Sequence, residues 1–340
     1  MSSTRWWMTV AAIGWFGLVS ARTLRAEGTS NAEVLLTIKA PNPKDPKTKG
    51  DAPQIEATVI GAPNLTADKF TLLDKSAKSP VQMKALTRRP FNQGSDTLAV
   101  AIVMQGWEMW IGNDTYRSAK DPTRAAGVLT PLQAAIDKLD FKSVGPPGSV
   151  GTVIVYADKA MVRVPMGPLT NLTGAALGTQ KDYEGTVGSE LVKGVELALA
   201  ELHKVEHPKK ALIVLTDGND TNNETAKTAL TQLKKHAQID GVQAFAIVYK
   251  AAASSPVNLI TQLTSKPVTV ASAEGIAAPL QGILQRIADR QYVTFAGYDK
   301  AAKLGLLWDG KAHDLVLKVD TEETEPVNLV LTPKWTPSGR

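Results

Sequence analysis

The chain contains no cysteine. This absence excludes disulfide bonds, thiolate metal sites, cysteine-based catalysis and a cysteine-linked lipid anchor. A protein of 340 residues without such crosslinks must be stable through its apolar core alone. For an exported protein, this property is more typical of a bacterial periplasmic or secreted protein than of a small eukaryotic ectodomain.

The motifs of several functional classes are also missing. No Gly-rich phosphate loop, nucleophile elbow or kinase signature occurs, and none of the four histidines stands beside a plausible nucleophile. The net charge of +5 comes from scattered Lys and Arg. No stretch interleaves basic with aromatic residues, as a nucleic-acid platform would need. We therefore expect neither an enzyme nor a nucleic-acid-binding protein.

Only one long apolar run is present, and it lies at the N-terminus. Arg5 precedes an almost entirely apolar or small stretch over 6–20, which ends in small residues up to Ala21. This layout predicts a secretory signal peptide over 1–26, cut after Ala21, with a cut after Ala26 as the alternative. The run is shorter than the roughly 20 residues of a membrane-spanning helix. We expect an exported protein, periplasmic or secreted, with no transmembrane segment beyond the signal peptide.

Two flanking segments have β-type patterns. In 27–96, the alternation of apolar and polar residues over 55–60 predicts a half-exposed strand. After Arg290, alternation resumes, and Asp309-Gly310 is a turn of the hairpin type. Because each segment is small for an independent core, we predict that 27–96 and 290–340 form one β-sandwich. Two separate β modules are the alternative.

Between these segments, residues 97–289 alternate apolar strands with amphipathic helices. The run Ala211-Leu212-Ile213-Val214-Leu215 has no polar residue, which is typical of a strand covered on both faces. The region therefore predicts a doubly wound, mostly parallel α/β sheet, inserted into the sandwich.

Asp217 follows that apolar run almost directly. In open α/β sheets, ligands bind just beyond the carboxyl ends of the strands, so Asp217 stands where a functional carboxylate is expected. Asp217-Gly218 is also ordinary turn chemistry. From this stretch alone, both interpretations stay open.

The middle region resembles a von Willebrand factor type A domain. Ile213-Val214-Leu215-Thr216-Asp217-Gly218 is similar to that family's fourth-strand motif, and Gly185-Thr186, which precedes a helical pattern, is similar to its threonine loop. The wider chain resembles bacterial exported proteins that carry such a domain after a β segment. That likeness rests on Leu65-Thr66-Ala67-Asp68-Lys69-Phe70, Gln291-Tyr292 and Asp309-Gly310-Lys311, and it covers nearly the whole mature chain.

The resemblance implies a metal-ion-dependent adhesion site. In the family, a divalent ion, usually magnesium, is held by Asp-x-Ser-x-Ser in a first loop, a Thr in a second and an Asp in a third. Thr186 and Asp217 match the last two, but Gln105, Trp107 and Met109 stand at the three first-loop positions. Magnesium dehydrates reluctantly and needs oxygen ligands. We therefore predict a degenerate site that has no cofactor, with Thr186 and Asp217 as vestigial metal ligands.

The same surface is predicted to bind another protein, through Gln105, Trp107, Glu108, Thr186 and Asp217. Aromatic residues at the rim are typical of binding hot spots. Three alternatives stay open. The aromatic residues could pack down onto the sheet, the protein could be an inert structural component, or a working magnesium site could use Glu108 or Asp114 as a substitute ligand.

An alternative from a different class rests on His203-Lys204-Val205-Glu206-His207. This spacing is that of the inverzincin metallopeptidases. Pro208 follows immediately, however, so the motif lies at the end of a helix, where histidine also suits the helix dipole. We regard zinc binding by His203 and His207 as the weaker hypothesis.

Overall fold

The computed structural model describes residues 33–39, 53–60, 65–76, 81–90, 97–112, 127–139, 144–249, 259–264, 266–299, 304–324 and 326–331. The predicted signal peptide and Asp114 lie outside these residues. Within the described ranges, no helix is both long and apolar enough to cross a bilayer.

The strands and helices have the following bounds. The strands are β1 (Glu33–Lys39), β2 (Gln54–Ile60), β3 (Phe70–Asp74), β4 (Val81–Pro90), β5 (Leu98–Gln105), β6 (Val150–Tyr156), β7 (Ala160–Pro168), β8 (Lys209–Thr216), β9 (Val242–Tyr249), β10 (Val268–Val270), β11 (Gln291–Ala296), β12 (Tyr298–Asp299), β13 (Leu304–Gly305), β14 (Ala312–Val319), β15 (Glu322–Glu323) and β16 (Val327–Val330). The helices are α1 (Glu108–Ile111), α2 (Leu129–Asp137), α3 (Leu191–His203), α4 (Asn223–Ile239) and α5 (Ala277–Ala288).

Six strands form an α/β sheet in the order β10-β9-β8-β5-β6-β7. All neighbours are parallel except β7, which runs antiparallel to β6. Every residue of β5 is buried, because alternate side chains enter apolar clusters on the two faces. One cluster contains residues of α2 and α5, and the other contains residues of α3 and α4. This is the mixed α/β arrangement that the sequence predicts.

The chain changes direction across this sheet between β5 and β8. From β5 it proceeds to β6 and β7 on one side, then crosses to β8, β9 and β10 on the other. The carboxyl ends of two such strands border a crevice, which is where open α/β sheets bind ligands. Gln105 ends β5, and Asp217 directly follows β8.

Strands from before residue 97 and after residue 290 lie in one further sheet, which we call the β module. Its order is β1-β2-β11-β4-β3-β14-β15, with β16 paired to β14. Strand β11 is hydrogen-bonded to both β2 and β4, and β14 is paired with β3. Apolar residues from both halves share one core, including Phe70, Val293 and Leu317. The two-layer sandwich and the domain boundaries stay predictions.

Strand β2 differs from its sequence-based prediction. The alternating pattern predicts a half-exposed strand, but every residue from Ile55 to Ile60 is buried. One face, with Ile55 and Val59, packs in the β module. On the other face, Ile60 joins the apolar core of the α/β region and Glu56 pairs with Lys209. The polar residue Glu56 on the second face is therefore buried with a charged partner and does not face water.

The Asp309-Gly310 turn also differs from expectation. Strand β13 ends before it and pairs with β12, so the turn does not join two adjacent strands. The backbone N–H of Gly310 instead donates a hydrogen bond to the carbonyl oxygen of Leu331 at 2.8 Å. The turn therefore leads the chain into β14 and helps to hold the last described residue.

Candidate functional site

Three loops meet at the carboxyl edge of the α/β sheet. We call 105–108, 185–189 and 217–220 the first, second and third site loops. Gly106 holds the first loop close to the neighbouring strand: its N–H donates to the carbonyl oxygen of Tyr156 at 2.6 Å. A Cβ at this glycine would lie 2.3 Å from Cγ1 of Val155. A larger residue there would push the first loop away from the sheet.

The carboxamide of Gln105 connects all three site loops. Its Oε1 accepts a hydrogen bond from the backbone N–H of Asp217 at 3.1 Å, and its Nε2 donates to Oγ of Ser189 at 3.4 Å. Ser189 in turn donates to the carbonyl oxygen of Asn219 at 2.8 Å. Gln105 is fully buried. The expectation that its side chain contacts a partner is therefore corrected, since Gln105 positions the loops from beneath.

The first and second loops are joined by further hydrogen bonds. The hydroxyl of Thr186 lies 2.7 Å from the carbonyl oxygens of Gly106 and Tyr183, between which its single proton is shared. Oε2 of Glu108 accepts from the N–H of Gly185 at 2.8 Å, and the N–H of Glu108 donates to the carbonyl oxygen of Thr186 at 3.3 Å. Glu108 is thus half-buried and bound to the second loop, not simply solvated.

Asp217 is half-buried and folds its carboxylate onto its own loop. Oδ1 accepts from the N–H of Asn219 at 3.0 Å, and Oδ2 accepts from the Asn219 side-chain amide at 3.2 Å. Gly218 has φ 91°, a conformation that glycine adopts without strain. The turn interpretation and the functional interpretation of Asp217 are therefore compatible, because the turn holds the carboxylate at the edge of the crevice.

Two residues that organise the third loop were not found from the sequence. Asp220 is 9% exposed, and its Oδ2 accepts from the N–H of Val192 at 3.0 Å, near the start of α3. Ser189 receives the Gln105 amide, as described above. A carboxylate at a helix N-terminus is favourable because it accepts an otherwise unpaired N–H. Ser189 begins the helical pattern over 189–204, whereas no sequence pattern indicates a role for Asp220.

A buried tyrosine lies beneath the third loop. The hydroxyl of Tyr156 donates to Oγ1 of Thr216 at 2.8 Å, and Tyr156 is fully buried. Burial, together with the negative charge of Asp217, raises the pKa of Tyr156 well above its ordinary value. The phenol therefore stays protonated and acts as a fixed donor under the site.

The rim of the site is partly apolar. Trp107 is half-buried and packs against the core of the α/β region, as the packing alternative predicts. Val187, in the second loop, is 59% exposed. The side chains of Met109 and Trp110 lie outside the described part of the structure. Among the rim side chains that the structure describes, Val187 and the partly exposed Trp107 carry apolar surface that a partner could contact.

The donor set is poor for a hard cation. Thr186 and Asp217 do approach the first loop, but the Gln105 amide is used in hydrogen bonds to the other loops. Among the residues that the structure describes, no group of three or more His, Asp or Glu side chains is arranged to hold a metal ion. Tight magnesium binding requires near-octahedral oxygen ligation, which these residues do not supply.

The two histidines of the metallopeptidase hypothesis do not act together. Helix α3 ends at His203, so His207 lies beyond the helix. Nδ1 of His203 is 3.2 Å from Oδ2 of Asp240, whereas Nε2 of His207 is 3.0 Å from the carbonyl oxygen of Gly148. The pair therefore lacks the shared helical face that the motif needs.

Comparison with known proteins gives structural neighbours only. No family model and no curated protein matches the chain. It is similar to the solved structure of BatB from Bacteroides thetaiotaomicron, with TM-score 0.37 and 14% identity over 56% of this chain and 98% of that one. It is similar to the vWF domain of the type V pili tip protein Mfa5 from Porphyromonas gingivalis, with TM-score 0.42 and 10% identity over 57% and 96%. It is also similar to the PilB minor pilin from Streptococcus sanguinis, with TM-score 0.45 and 10% identity over 76% and 78%.

Proposed function

We propose that this chain is an exported, non-catalytic protein of the von Willebrand factor type A kind. Its α/β region would bind another protein at the carboxyl edge of the sheet, through a degenerate metal-ion-dependent adhesion site. The β module would serve as the base into which the α/β region is inserted. Residues Trp107, Glu108, Thr186 and Asp217 would line the contact surface, with Gln105 beneath them.

The observation that carries this proposal is the hydrogen bonding of Gln105. In a metal site of this kind, one ion binds side-chain oxygens from three loops and so holds the loops together. Here a neutral carboxamide joins the same three loops through one acceptor and one donor. This arrangement supports a preformed surface that does not need an ion. A preformed surface loses less conformational entropy on binding, which favours affinity.

The composition of the rim supports a protein as the ligand. The exposed Val187 and the half-buried Trp107 lie in loops that also carry the carboxylates of Asp217 and Glu108. A mixture of aromatic, aliphatic and charged groups is typical of protein interfaces. The three loops contain no histidine, and the hydroxyls of Thr186 and Ser189 donate to backbone carbonyl oxygens and not to a base, which favours binding over nucleophilic catalysis.

A metal titration tests the degenerate site. Isothermal titration of the purified protein with MgCl2 and MnCl2 should give no saturable heat in the micromolar range. Micromolar binding that is abolished by Asp217→Ala would contradict the proposal and would favour a working site with Glu108 as substitute ligand. Glu108→Gln would then identify that ligand, since Gln keeps the size of the side chain but removes the charge.

A capture experiment tests protein binding. Immobilised wild-type protein should retain a partner from an envelope extract of the organism that produces it, and Val187→Asp and Asp217→Ala should lose the same partner. Ile239→Ala provides the control, because Ile239 is 79% exposed at the end of α4, which leads into the start of β9 at the opposite edge of the sheet. Equal capture by all four proteins would contradict the proposed surface, and the absence of any partner would favour an inert structural role.

The export prediction has its own test. Expression of the full chain in a bacterial host, followed by fractionation and intact-mass measurement, should give a periplasmic or secreted product that begins at Arg22. A product that begins at Glu27 would favour the alternative cleavage site. A full-length product in the membrane fraction would contradict cleavage and would favour an uncleaved anchor.

A further inference from the structure

We propose that a buried charged joint fixes the α/β region on the β module in a single orientation, so that the site loops point away from that module. The joint consists of Glu56 in β2, Lys209 in β8, Tyr292 in β11, and Arg290, which directly precedes β11.

The centre of the joint is an ion pair. Nζ of Lys209 donates to Oε1 of Glu56 at 2.6 Å, and the two side chains are 10% and 9% exposed. The same Nζ lies 3.6 Å from the ring centroid of Tyr292, and the guanidinium of Arg89 lies 4.7 Å from it. Cations at such distances from an aromatic ring are attracted to its π-system, more strongly where water is excluded. Two strands of the β module, β2 and β11, thus contact the first residue of β8, and Arg89 of β4 contacts the same tyrosine ring.

The connection between the regions is also held in place. Arg290, which is 1% exposed, lies between α5 and β11. Its Nε donates to the carbonyl oxygen of Ile287 at 2.7 Å, and its Nη1 donates to Oε1 of Gln243 at 3.3 Å. Ile60 and Tyr292 belong to the apolar cluster that fills one face of the α/β sheet. The core of the α/β region therefore continues into the β module without a solvated gap.

The chemistry of the joint indicates its role. A buried ion pair gives little net stability, because the cost of removing two charges from water offsets their attraction. Apolar residues of the same volume often stabilise a protein equally well. An ion pair differs from an apolar contact because the buried ammonium group must stay within hydrogen-bond distance of the carboxylate, whereas an apolar contact has no such requirement. The joint is therefore suited to specifying an orientation.

The joint and the site lie at opposite ends of strand β8. Lys209 is the first residue of the eight-residue strand β8, and Asp217 follows its last residue. At about 3.3 Å per residue, the joint and the site lie roughly 26 Å apart, at opposite ends of one strand. A fixed joint thus holds the site loops at the far edge of the α/β region.

The test compares single with double variants. Lys209→Met alone leaves Glu56 buried without its ammonium partner, so the thermal midpoint should fall by about 5 to 10 °C. The double variant Glu56→Met/Lys209→Met should recover most of this loss. The exposed pair of Lys193 with Glu190 provides the control, and Lys193→Met should leave the midpoint unchanged within about 1 °C.

Orientation is measured separately. Because the chain has no cysteine, Lys84→Cys in β4 and Lys235→Cys in α4 place two spin labels selectively, one on each region. Pulsed electron paramagnetic resonance should give a narrow distance distribution in the otherwise wild-type protein and a clearly broader one with the double variant. A double variant that keeps the narrow distribution would overturn the proposal, because apolar contacts alone would then fix the orientation. Neither measurement depends on a partner or a metal, so the result is independent of the proposed function.

Discussion

The backbone N–H of Asp217 donates a hydrogen bond to Oε1 of Gln105 across 3.1 Å, and this bond joins loops whose residues are 112 positions apart in the chain. Gln105 and Asp217 end neighbouring parallel strands, so the bond closes the crevice between those strands from below. A neutral amide needs no counter-charge and does not dissociate when the concentration of an ion changes. We therefore expect the thermal midpoint of unfolding to be the same with and without a chelator.

Removal of this amide should weaken the site. Gln105→Ala leaves the N–H of Asp217 without its acceptor and Oγ of Ser189 without the donor from Gln105, which costs about 1 to 3 kcal/mol of unfolding free energy. Chemical denaturation gives the free energy, and hydrogen exchange should show a faster rate at Asp217. Gln285→Ala is the matched control, because the Gln285 side chain donates to Asp289 at an exposed position. The free energy of unfolding of this variant should change by no more than about 0.5 kcal/mol. Equal effects in the two variants would contradict the linking role.

Stability should fall as pH rises, because of a histidine in the β module. Nδ1 of His313 lies 2.8 Å from Oδ2 of Asp74, and Nε2 lies 3.1 Å from Oδ1 of Asp309. Burial lowers the pKa of His313, but the hydrogen bonds to Asp309 and Asp74 and their charges outweigh it, so the pKa is raised above 6.5. Because the folded-state pKa is raised, His313 contributes fully to the free energy of unfolding below pH 6.5. This contribution is lost as pH rises through the folded-state pKa.

The comparison with His313→Asn isolates this histidine. Denaturant unfolding between pH 5 and pH 9 should show that the wild-type protein has a larger free energy of unfolding than the variant at low pH. This difference should shrink toward alkaline pH. Parallel stability curves for the two proteins would mean that His313 does not change its protonation between the folded and unfolded states.

Two glycines in helices should respond oppositely to alanine. In α3, a Cβ at Gly194 would lie 2.9 Å from Cδ1 of Tyr156 and 3.1 Å from its Cβ. Overpacking costs about 1 to 3 kcal/mol, which exceeds the gain in helix propensity of about 1 kcal/mol. In α5, nothing lies within 4 Å of a Cβ at Gly282. Gly194→Ala should therefore destabilise the protein, and Gly282→Ala should stabilise it by about 0.5 to 1 kcal/mol, as measured by thermal unfolding.

The start of α3 should depend on the third site loop. Asp220→Ala removes the acceptor for the N–H of Val192 and should cost about 1 to 2 kcal/mol. Asp220→Asn keeps one oxygen acceptor and should lose less. Hydrogen exchange at Val192 reports the contact directly, and an unchanged exchange rate in Asp220→Ala would show that another group caps this helix.

The buried parts of the α/β region were the most predictable from the sequence. Strand Val268–Val270 and helix Ala277–Ala288 have the bounds that their patterns predict. Such elements are predictable because hydrophobic periodicity reports burial on a regular backbone. The apolar spacing over 125–139 also predicts a helix, and within the described residues α2 covers Leu129–Asp137. Residues 169–184 show no helix or strand periodicity, yet Leu177 and Tyr183 are buried there on short 3-10 turns.

The contacts that organise the site and the joint were less predictable. The family resemblance brought Gln105, Thr186 and Asp217 to one crevice, and the structure places them there. It did not indicate that Gln105 would be buried, because the residue type alone does not specify its hydrogen-bond partners. The pair of Glu56 and Lys209 is 153 positions apart, and each residue by itself reads as an ordinary surface charge. The sequence does not show that these two residues form an ion pair between the β module and the α/β region, because that pairing depends on the folded structure.

Strand β11 lies between β2 and β4, although 200 residues, from 91 to 290, separate it from β4 along the chain. During synthesis, the first four strands therefore leave the ribosome long before their central neighbour exists. The edges of β2 and β4 that later pair with β11, and the edge of β3 that later pairs with β14, remain unpaired in that interval, and unpaired edges are sites of aggregation. Completion of the β module must wait until translation has passed the α/β region, so folding of this chain is expected to be slow and to benefit from chaperones that shield nascent strands.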